Sequence, residues 1–376
     1  MTRTVLPVCL TLLLALTLLV AGSAVAVPYV FRELPGLAPD MQTCAKGVNN
    51  HGQVAGWSEY PGGWIKPVVW NASGQVRQLN LLSGMAHGQA LSINDNGVSV
   101  GWQRSSSYGS GVATVWDSNG NPTRIGALSG DYYSSALAVN NVGQVVGWSQ
   151  GLSGNARPFV WDAVNGIRAI PMLSGAVGGI ATDINDSGQI TGSCDMTNQL
   201  PGYLERWTRA FRGSVGGPTA DLGVLGYKVS GGDSINNSGM VAGFSSYATN
   251  DAHTRAAKWS APGSVTNLDP TLYPYFYSEA FGINNLGQAV GVSPSRNTST
   301  DHAALWNADG SMIDLGVLPT AWWSKAYGIN DSGWIVGEST ARATLWTPVP
   351  EPSSLLTLLG GIGGLGGLVW RRRVSP

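Results

Sequence analysis

The 376-residue chain is poor in charge: Asp, Glu, Lys and Arg together supply only 11% of it, under half the usual share. That shortage excludes a coiled coil or helical bundle, which is built on Glu, Lys and Ala. Cysteine is scarce as well, with three residues, and Cys9 falls in the leader described below. The other two, Cys44 and Cys194, lie three repeats apart in the scheme below, so no disulfide between them is expected even in an oxidising compartment. A net charge of -1 leaves no basic footprint for nucleic acid. The four His residues, His51, His87, His253 and His302, are scattered, and no H-E-x-x-H, G-x-S-x-G or Cys-His cluster occurs. No metal, no cofactor and no catalytic residue is therefore expected. What the chain does hold is 52 Gly, 15 Trp and 43% apolar residues, too apolar for disorder. Gly combined with Trp, Val and Thr points to many short strands joined by tight turns.

Both ends read as targeting segments. Residues 1–26 carry Arg3, the apolar run LPVCLTLLLALTLLV and the small-x-small site Ala24-Val25-Ala26, the pattern of a secretory signal peptide. At the other end, Pro350-Glu351-Pro352 precedes an apolar stretch from Leu355 to Trp370, followed by Arg371, Arg372 and Arg373. Such a stretch can just span a bilayer, with the arginines held on the cytoplasmic side. Segment 349–376 closely resembles the PEP-CTERM sorting signal of Gram-negative bacteria. The resemblance implies export, a transient stay in the inner membrane, recognition by an exosortase-type sorting enzyme and release at the cell surface or beyond, in cells that make exopolysaccharide. Gly361, Gly363 and Gly366 spell G-x-G-x-x-G, but no strand precedes them, and a dinucleotide site is excluded. Without Arg3, Glu351 and the three tail arginines, residues 27–348 hold 17 basic against 21 acidic residues.

Between the ends, 27–348, one pattern recurs seven times. Asn49, Asn94, Asn140, Asn185, Asn236, Asn284 and Asn330 are separated by 45, 46, 45, 51, 48 and 46 residues. Each is followed by Asn or Asp, by a Gly three positions on, and by a second Gly four positions later. An N-[ND]-x-G run between apolar alternations is a hairpin turn, in which the Asn side chain caps its own backbone and the Gly takes positive φ. A turn accounts for these residues without calcium. We label the flanking strands A and B. A second hairpin, C–D, carries a mostly basic residue at Lys66, Val112, Arg157, Arg209, Arg255, His302 and Arg342. Four residues further stand Trp70, Trp116, Trp161, Gly213, Trp259, Trp306 and Trp346.

Twelve residues after each basic position strand D is expected to begin, as in Asp221-Leu222-Gly223 and Asp314-Leu315-Gly316. The seventh C strand has no D strand after it, whereas Glu33-Leu34-Pro35-Gly36-Leu37 near the N-terminus fits the missing one. A fourth strand displaced to the other end of the chain predicts an all-β, seven-bladed propeller closed by its N-terminal strand. A stacked β-solenoid is the alternative, but it gains nothing from such a displacement. The pattern A-x-x-I-N-x-x-G-Q-x-x-G, H-A-x-x-W and D-L-G-x-L, clearest in His302-Ala303-Ala304-Leu305-Trp306, resembles the HAF-type extracellular repeat of bacterial surface proteins over residues 29–346. That resemblance implies export and repetition, and brings no catalytic residues.

In a meander the A–B and C–D turns share one end, and the B–C and D–A connections share the other. From the second Gly to the basic position the B–C connections span 10, 11, 10, 17, 12, 11 and 5 residues, the variation expected of a recognition face. Aromatics gather there: Tyr60, Trp64, Tyr132, Tyr133, Trp207, Phe276, Tyr277, Trp322 and Trp323. Exposed rings would stack on sugars, and buried rings would only roof the blades. The basic residues of strand C would form a charged ring if they faced the channel, or else pair locally with acids on a neighbouring blade or with carbonyls. Glu59, Asp195, Glu205 and Asp251 are the loop carboxylates that a glycan-active enzyme would need to pair. The expectation is an exported, non-enzymatic binding or structural component of the surface or biofilm matrix, with extracellular polysaccharide as partner; the alternative is a glycan-active propeller hydrolase or lyase.

Overall fold

The computed structural model describes residues 29–349 except 107–110, 153, 201–202, 248–252, 271–275 and 296–299. The signal peptide, the sorting motif with Pro350, Glu351, Pro352, Arg371, Arg372 and Arg373, the apolar tail and Asp251 lie outside the described residues. Among those described there are 28 strands and no helix.

Seven four-stranded antiparallel sheets follow one another along the chain. After β1 (Tyr29–Glu33), blade 1 is β2 (Thr43–Val48), β3 (Val54–Tyr60), β4 (Trp64–Trp70) and β5 (Val76–Gln78). Blade 2 is β6 (His87–Ile93), β7 (Ser99–Arg104), β8 (Val112–Trp116) and β9 (Pro122–Gly126). Blade 3 is β10 (Tyr133–Val139), β11 (Val145–Gln150), β12 (Arg157–Asp162) and β13 (Gly166–Ala169). Blade 4 is β14 (Ala176–Ile184), β15 (Gln189–Leu200), β16 (Tyr203–Ser214) and β17 (Ala220–Asp221). Blade 5 is β18 (Ser230–Ile235), β19 (Val241–Ser246), β20 (Thr254–Ala261) and β21 (Ser264–Asn267). Blade 6 is β22 (Glu279–Ile283), β23 (Ala289–Pro294), β24 (Asp301–Trp306) and β25 (Met312–Asp314). Blade 7 is β26 (Ser324–Ile329), β27 (Ile335–Ser339) and β28 (Arg342–Pro348), and its fourth strand is β1, in the order β1-β28-β27-β26. The propeller and its closure by the N-terminal strand are as the displaced repeat required. Val30–Thr347 forms one compact unit.

In five blades strand D ends, rather than begins, twelve residues after the basic position, and in blade 2 it runs two residues further. Asp221 and Asp314 are the last residues of β17 and β25. The Leu that follows still donates its N–H to strand C, as in Leu222 to Ala210 and Leu315 to Ala303. Gly223 and Gly316 then take φ of 86° and 69°, a left-handed conformation that breaks the extended chain. The D-L-G-x-L signature is therefore the exit from strand D. Its displaced copy behaves alike, since Leu34 N donates to Ala343 O at 2.8 Å.

Each A strand contains a bulge one residue wide. Ala45 faces Gly56 and Gly47 faces Ala55, which leaves Lys46 unpaired; the other blades skip Leu91, Leu137, Thr182, Asp233, Phe281 and Tyr327. The bulge explains the second repeat glycine. A Cβ at Gly56 would lie 2.1 Å from Cys44 O, and one at Gly147 2.0 Å from Ser135 O. The first repeat glycine serves the turn, as read from sequence, with φ of 73° at Gly52 and 83° at Gly143.

The apolar core lies between blades. Val54, Val68 and Trp70 of blade 1 pack against Val336, Ala343 and Leu345 of blade 7, with Leu34 among them. Trp70, Trp116, Trp259, Trp306 and Trp346 are fully buried, and Trp161 is half-buried. Indoles reach back to the preceding blade: Trp70 donates to Pro35 O (2.7 Å), Trp116 to Asn80 O (2.7 Å) and Trp346 to Leu315 O (3.0 Å). Blade 4 has no such Trp. Its Gly213 faces Ile190 as Trp70 faces Val54, and the buried Phe211 fills the space against Gly192.

Candidate functional site

The seven repeat asparagines meet around the axis. Each caps its own turn: Asn49 Oδ1 accepts from Gln53 N at 2.8 Å and from His51 N at 3.1 Å. Each also reaches the next blade. Asn49 Nδ2 donates to Asn94 O, Asn94 to Asn140 O, Asn140 to Asn185 O and Asn185 to Asn236 O; Asn236 continues to Asn284 O, Asn284 to Asn330 O, and Asn330 returns to Asn49 O, all at 2.9–3.1 Å. The following residues form a second closed ring. Asn50 N donates to Asp95 Oδ1, Asp95 N to Asn141 Oδ1, and so through Asp186, Asn237, Asn285 and Asp331 back to Asn50 Oδ1. A turn thus explains only half of what these side chains do.

Asn50, Asp95, Asn141, Asp186, Asn237, Asn285 and Asp331 line an axial cavity of about 160 Å³ at this mouth. The free oxygens of its carboxylates accept from neighbouring amides, as Asp186 Oδ2 does from Asn141 and Asn237. Among the described residues no group of three His, Cys, Asp or Glu is placed to hold a metal ion. The mouth is a joint between blades. Asn140→Asp keeps the turn acceptor but replaces the donor to Asn185 O with a repelling oxygen, and should cost about 2 kcal/mol. Asn50→Asp removes the amide that donates to Asp95 and Asp331 and puts a third carboxylate between them, but at an exposed position, and should cost about 1 kcal/mol. Chemical denaturation of both variants checks the ordering.

Deeper in the channel the bulged residues of neighbouring A strands meet. Lys46 Nζ lies 3.5 Å from the Tyr327 ring centroid, Phe281 packs on Tyr327 at 5.4 Å, and Tyr327 OH donates to Glu338. Three acids line the same wall. Burial raises Asp183 to about 6 against the donors Ile235 N and Ser234 Oγ, and raises Glu279 to about 7 against the opposing pull of Lys325. Asp233 is raised by burial and then by the charge of Glu279, and its Oδ2 is buried with no hydrogen-bond partner. All three hold their proton more tightly folded than unfolded. For Asp183 and Glu279 that stabilisation is complete below the unfolded values of 3.8 and 4.5 and is lost as pH rises through about 6 to 7. The melting temperature should fall between pH 5 and pH 8, and Glu279→Gln should flatten that fall; a melting temperature that climbs over the interval contradicts the assignment.

The charged ring considered for strand C does not form, because C is third from the axis in every blade. Nor do its residues pair mainly with neighbouring blades. Arg209, His302 and Arg342 pair with the last D-strand residue of their own blade, Asp221 (2.8 Å), Asp314 (2.9 Å) and Glu33 (3.4 Å). Arg157 pairs with Asp131 at 2.9 Å, while Lys66 and Arg255 donate to the carbonyls of Ala86 and Phe276. The His302–Asp314 pair borders a cavity of about 530 Å³ with Asp269 and Ser293, but it occupies the same repeat position as the Arg pairs.

On the variable face none of the nine aromatics is buried. Trp322 is 70% and Tyr132 62% exposed; Tyr60, Trp64 and Tyr277 are also exposed, and Tyr133, Trp207, Phe276 and Trp323 are half-buried. Lys228 lies over Trp207 at 5.0 Å while paired with Glu205. Sequence reading missed the exposed Tyr203 and Tyr247. It also treated the longest connection as a loop. In blade 4 the strands themselves lengthen, pairing from Gln189↔Ser214 out to Leu200↔Tyr203. Of the loop carboxylates, Glu205 is taken by Lys228 and Glu59 Oε2 accepts from Gln42 N at 3.4 Å. The acids whose charges repel each other are Asp233 and Glu279, on adjacent A strands. Cys44 and Cys194 are both free and buried, and burial pushes their thiols up to about 12 and about 11.

Residues 348–373 match the model of the PEP-CTERM protein-sorting motif, so the chain carries an exosortase signal for export and sorting to the cell surface. No curated protein matches the chain. Among solved structures it is similar to a streptogramin B lyase, with 12% identity, a TM-score of 0.53, and 85% of this chain and 98% of that one covered. The virginiamycin B lyase of Staphylococcus aureus is similar to the same degree, at 12% identity and TM-score 0.53, covering 85% of this chain and 100% of that one. At that identity the likeness is one of fold.

Proposed function

We propose that this exported propeller is a non-enzymatic component of the cell surface or biofilm matrix that holds extracellular polysaccharide on its variable face. The observation that carries the reading is the exposure of the aromatics: Trp322, Tyr132, Tyr60, Trp64 and Tyr277 all present surface on the one face whose loops vary. Rings free on one side are suited to stack on the apolar faces of sugars. The rigid ring beneath them, closed by paired asparagines, fixes their spacing. The resemblance to HAF-type extracellular repeats and the exosortase signal support a setting in which polysaccharide is abundant. Affinity electrophoresis of the full chain through gels containing exopolysaccharide tests the reading. Retardation that weakens when Trp322 and Tyr132 are both changed to Ala is expected, and unretarded migration in every polysaccharide gel refutes it.

A second reading, a glycan-active enzyme, is favoured by one observation, the pair of raised carboxylates Asp233 and Glu279 in the channel wall. It requires release of reducing ends or unsaturated products from polysaccharide that Glu279→Gln abolishes.

A further inference from the structure

The described chain has four non-glycine residues at positive φ, and all four lie at one place. They are Asp40 (58°), Thr320 (72°), Thr340 (44°) and Ala341 (62°). Asp40, Thr320 and Thr340 line a cavity of about 450 Å³ with Glu33, Ser339 and Arg342, where blade 7 meets the closing strand. Left-handed backbone is uncommon for non-glycine residues and worst for a β-branched one, and it persists only where the surroundings impose it. In blades 2, 3 and 4 the position of Thr320 is held by Gly84, Gly130 and Gly175 at φ of 79°, 86° and 80°, so blade 7 sets a threonine and its hydroxyl where the turn elsewhere takes glycine.

The cavity follows from the shortest B–C connection. Between β27 and β28 only Thr340 and Ala341 remain, both at positive φ, a tight turn that Asn-Gly would make without strain. Where six blades run 10 to 17 residues from the second Gly to the basic position, blade 7 runs 5, and space is left open above it. The groups around that space suit a sugar. Asp40 is exposed and its carboxylate has no hydrogen-bond or ion-pair partner among the described residues. Arg342 uses Nη1 for both Glu33 (3.4 Å) and Met41 O (3.3 Å). Carboxylate acceptors, a guanidinium fork and a threonine hydroxyl together can pair with vicinal hydroxyl groups, which both donate and accept. Trp322 stands beside them, its backbone N–H donating to Thr340 Oγ1 at 3.1 Å and its side chain exposed. The volume lies within the range of small-molecule sites.

We propose that this cavity is the principal sugar subsite of the face and takes one uncharged pyranose unit, with Trp322 as platform and Asp40, Glu33 and Arg342 as hydroxyl partners. Two carboxylates against one guanidinium disfavour uronates. The assignment rests on the polysaccharide-binding reading above. The test is titration of the full chain with neutral hexose oligosaccharides and, separately, with oligouronates, using wild type, Asp40→Gly, Trp322→Ala and Tyr132→Ala. Asp40→Gly removes the carboxylate and accepts a φ of 58° freely, so its melting temperature should equal or exceed that of wild type. Neutral oligosaccharide binding that falls about tenfold or more in both Asp40→Gly and Trp322→Ala is expected. Binding kept within about twofold in either variant, or seen only with oligouronates, overturns the assignment. If Tyr132→Ala is then the damaging change, saccharide binding by the face stands and only its location is wrong. No oligosaccharide bound by wild type overturns both.

Discussion

A chain beginning at Ala38 is expected to lose its cooperative melting transition and to self-associate. The side chains of β1 are mostly exposed, so the loss is not chiefly one of burial along the strand. It lies in what the segment ties together. Leu34 is buried among Val336, Leu345 and Trp70, and losing such a residue costs about 2–5 kcal/mol. Pro35 O is the acceptor for the Trp70 indole, and Leu37 N donates to Ser58 Oγ at 3.0 Å, so the indole would be left without an acceptor and Ser58 would lose a donor. β28 would also become an edge, with a row of open N–H and C=O groups ready to pair with another copy. Against a typical total stability of about 5–15 kcal/mol, these losses together are decisive. Circular dichroism melting and size-exclusion chromatography read the result. A melting temperature within about 5 °C of the intact chain would show that the seventh blade holds as three strands.

The second large effect concerns the glycines opposite the bulges. In Gly147→Ala the new Cβ would sit 2.0 Å from Ser135 O, backbone against backbone, and no rotamer relieves it. Strand A or B must shift, which opens the packing of Ala136, Phe159 and Val145 in the core shared with blade 2. A loss of about 3 kcal/mol or more is expected. Gly143→Ala is the matched control. It has open space around it, and its only difficulty is a φ of 83°, for about 1–2 kcal/mol. Urea denaturation of the pair separates a steric requirement from a conformational one. Equal losses would mean that the bulge carbonyl gives way easily.

Much of this architecture can be read along the chain because its causes are local. Gly143 is needed by a turn three residues after Asn140, and Trp70 by a core that every repeat rebuilds. The displaced Leu34 exposes the closure because it breaks a count. What escapes sequence reading depends on contacts across repeats. Asn140 Nδ2 bonds a carbonyl 45 residues on, and nothing beside Asn140 marks that partner. The A-strand bulge hides within an alternation that still looks regular, so Gly147 seems a turn residue when it is a steric one. Phe211 takes over the work of a missing Trp from a position two residues away. Of the variable face, the loop lengths and the aromatics were legible. The cavity was not, because Asp40 and Thr340 stand 300 residues apart and acquire meaning only when β1 lies beside β28.

That placement of β28 also bears on mechanical load. The strand runs directly into the segment that carries the sorting signal, so any pull on the tail is first felt by β28. Were β28 the outermost strand, it could peel away by breaking one ladder, bond after bond. With β27 on one side and β1 on the other, it must break two ladders at once. The strand added to close the ring therefore also serves as a clamp at the point where a tethered protein would be pulled.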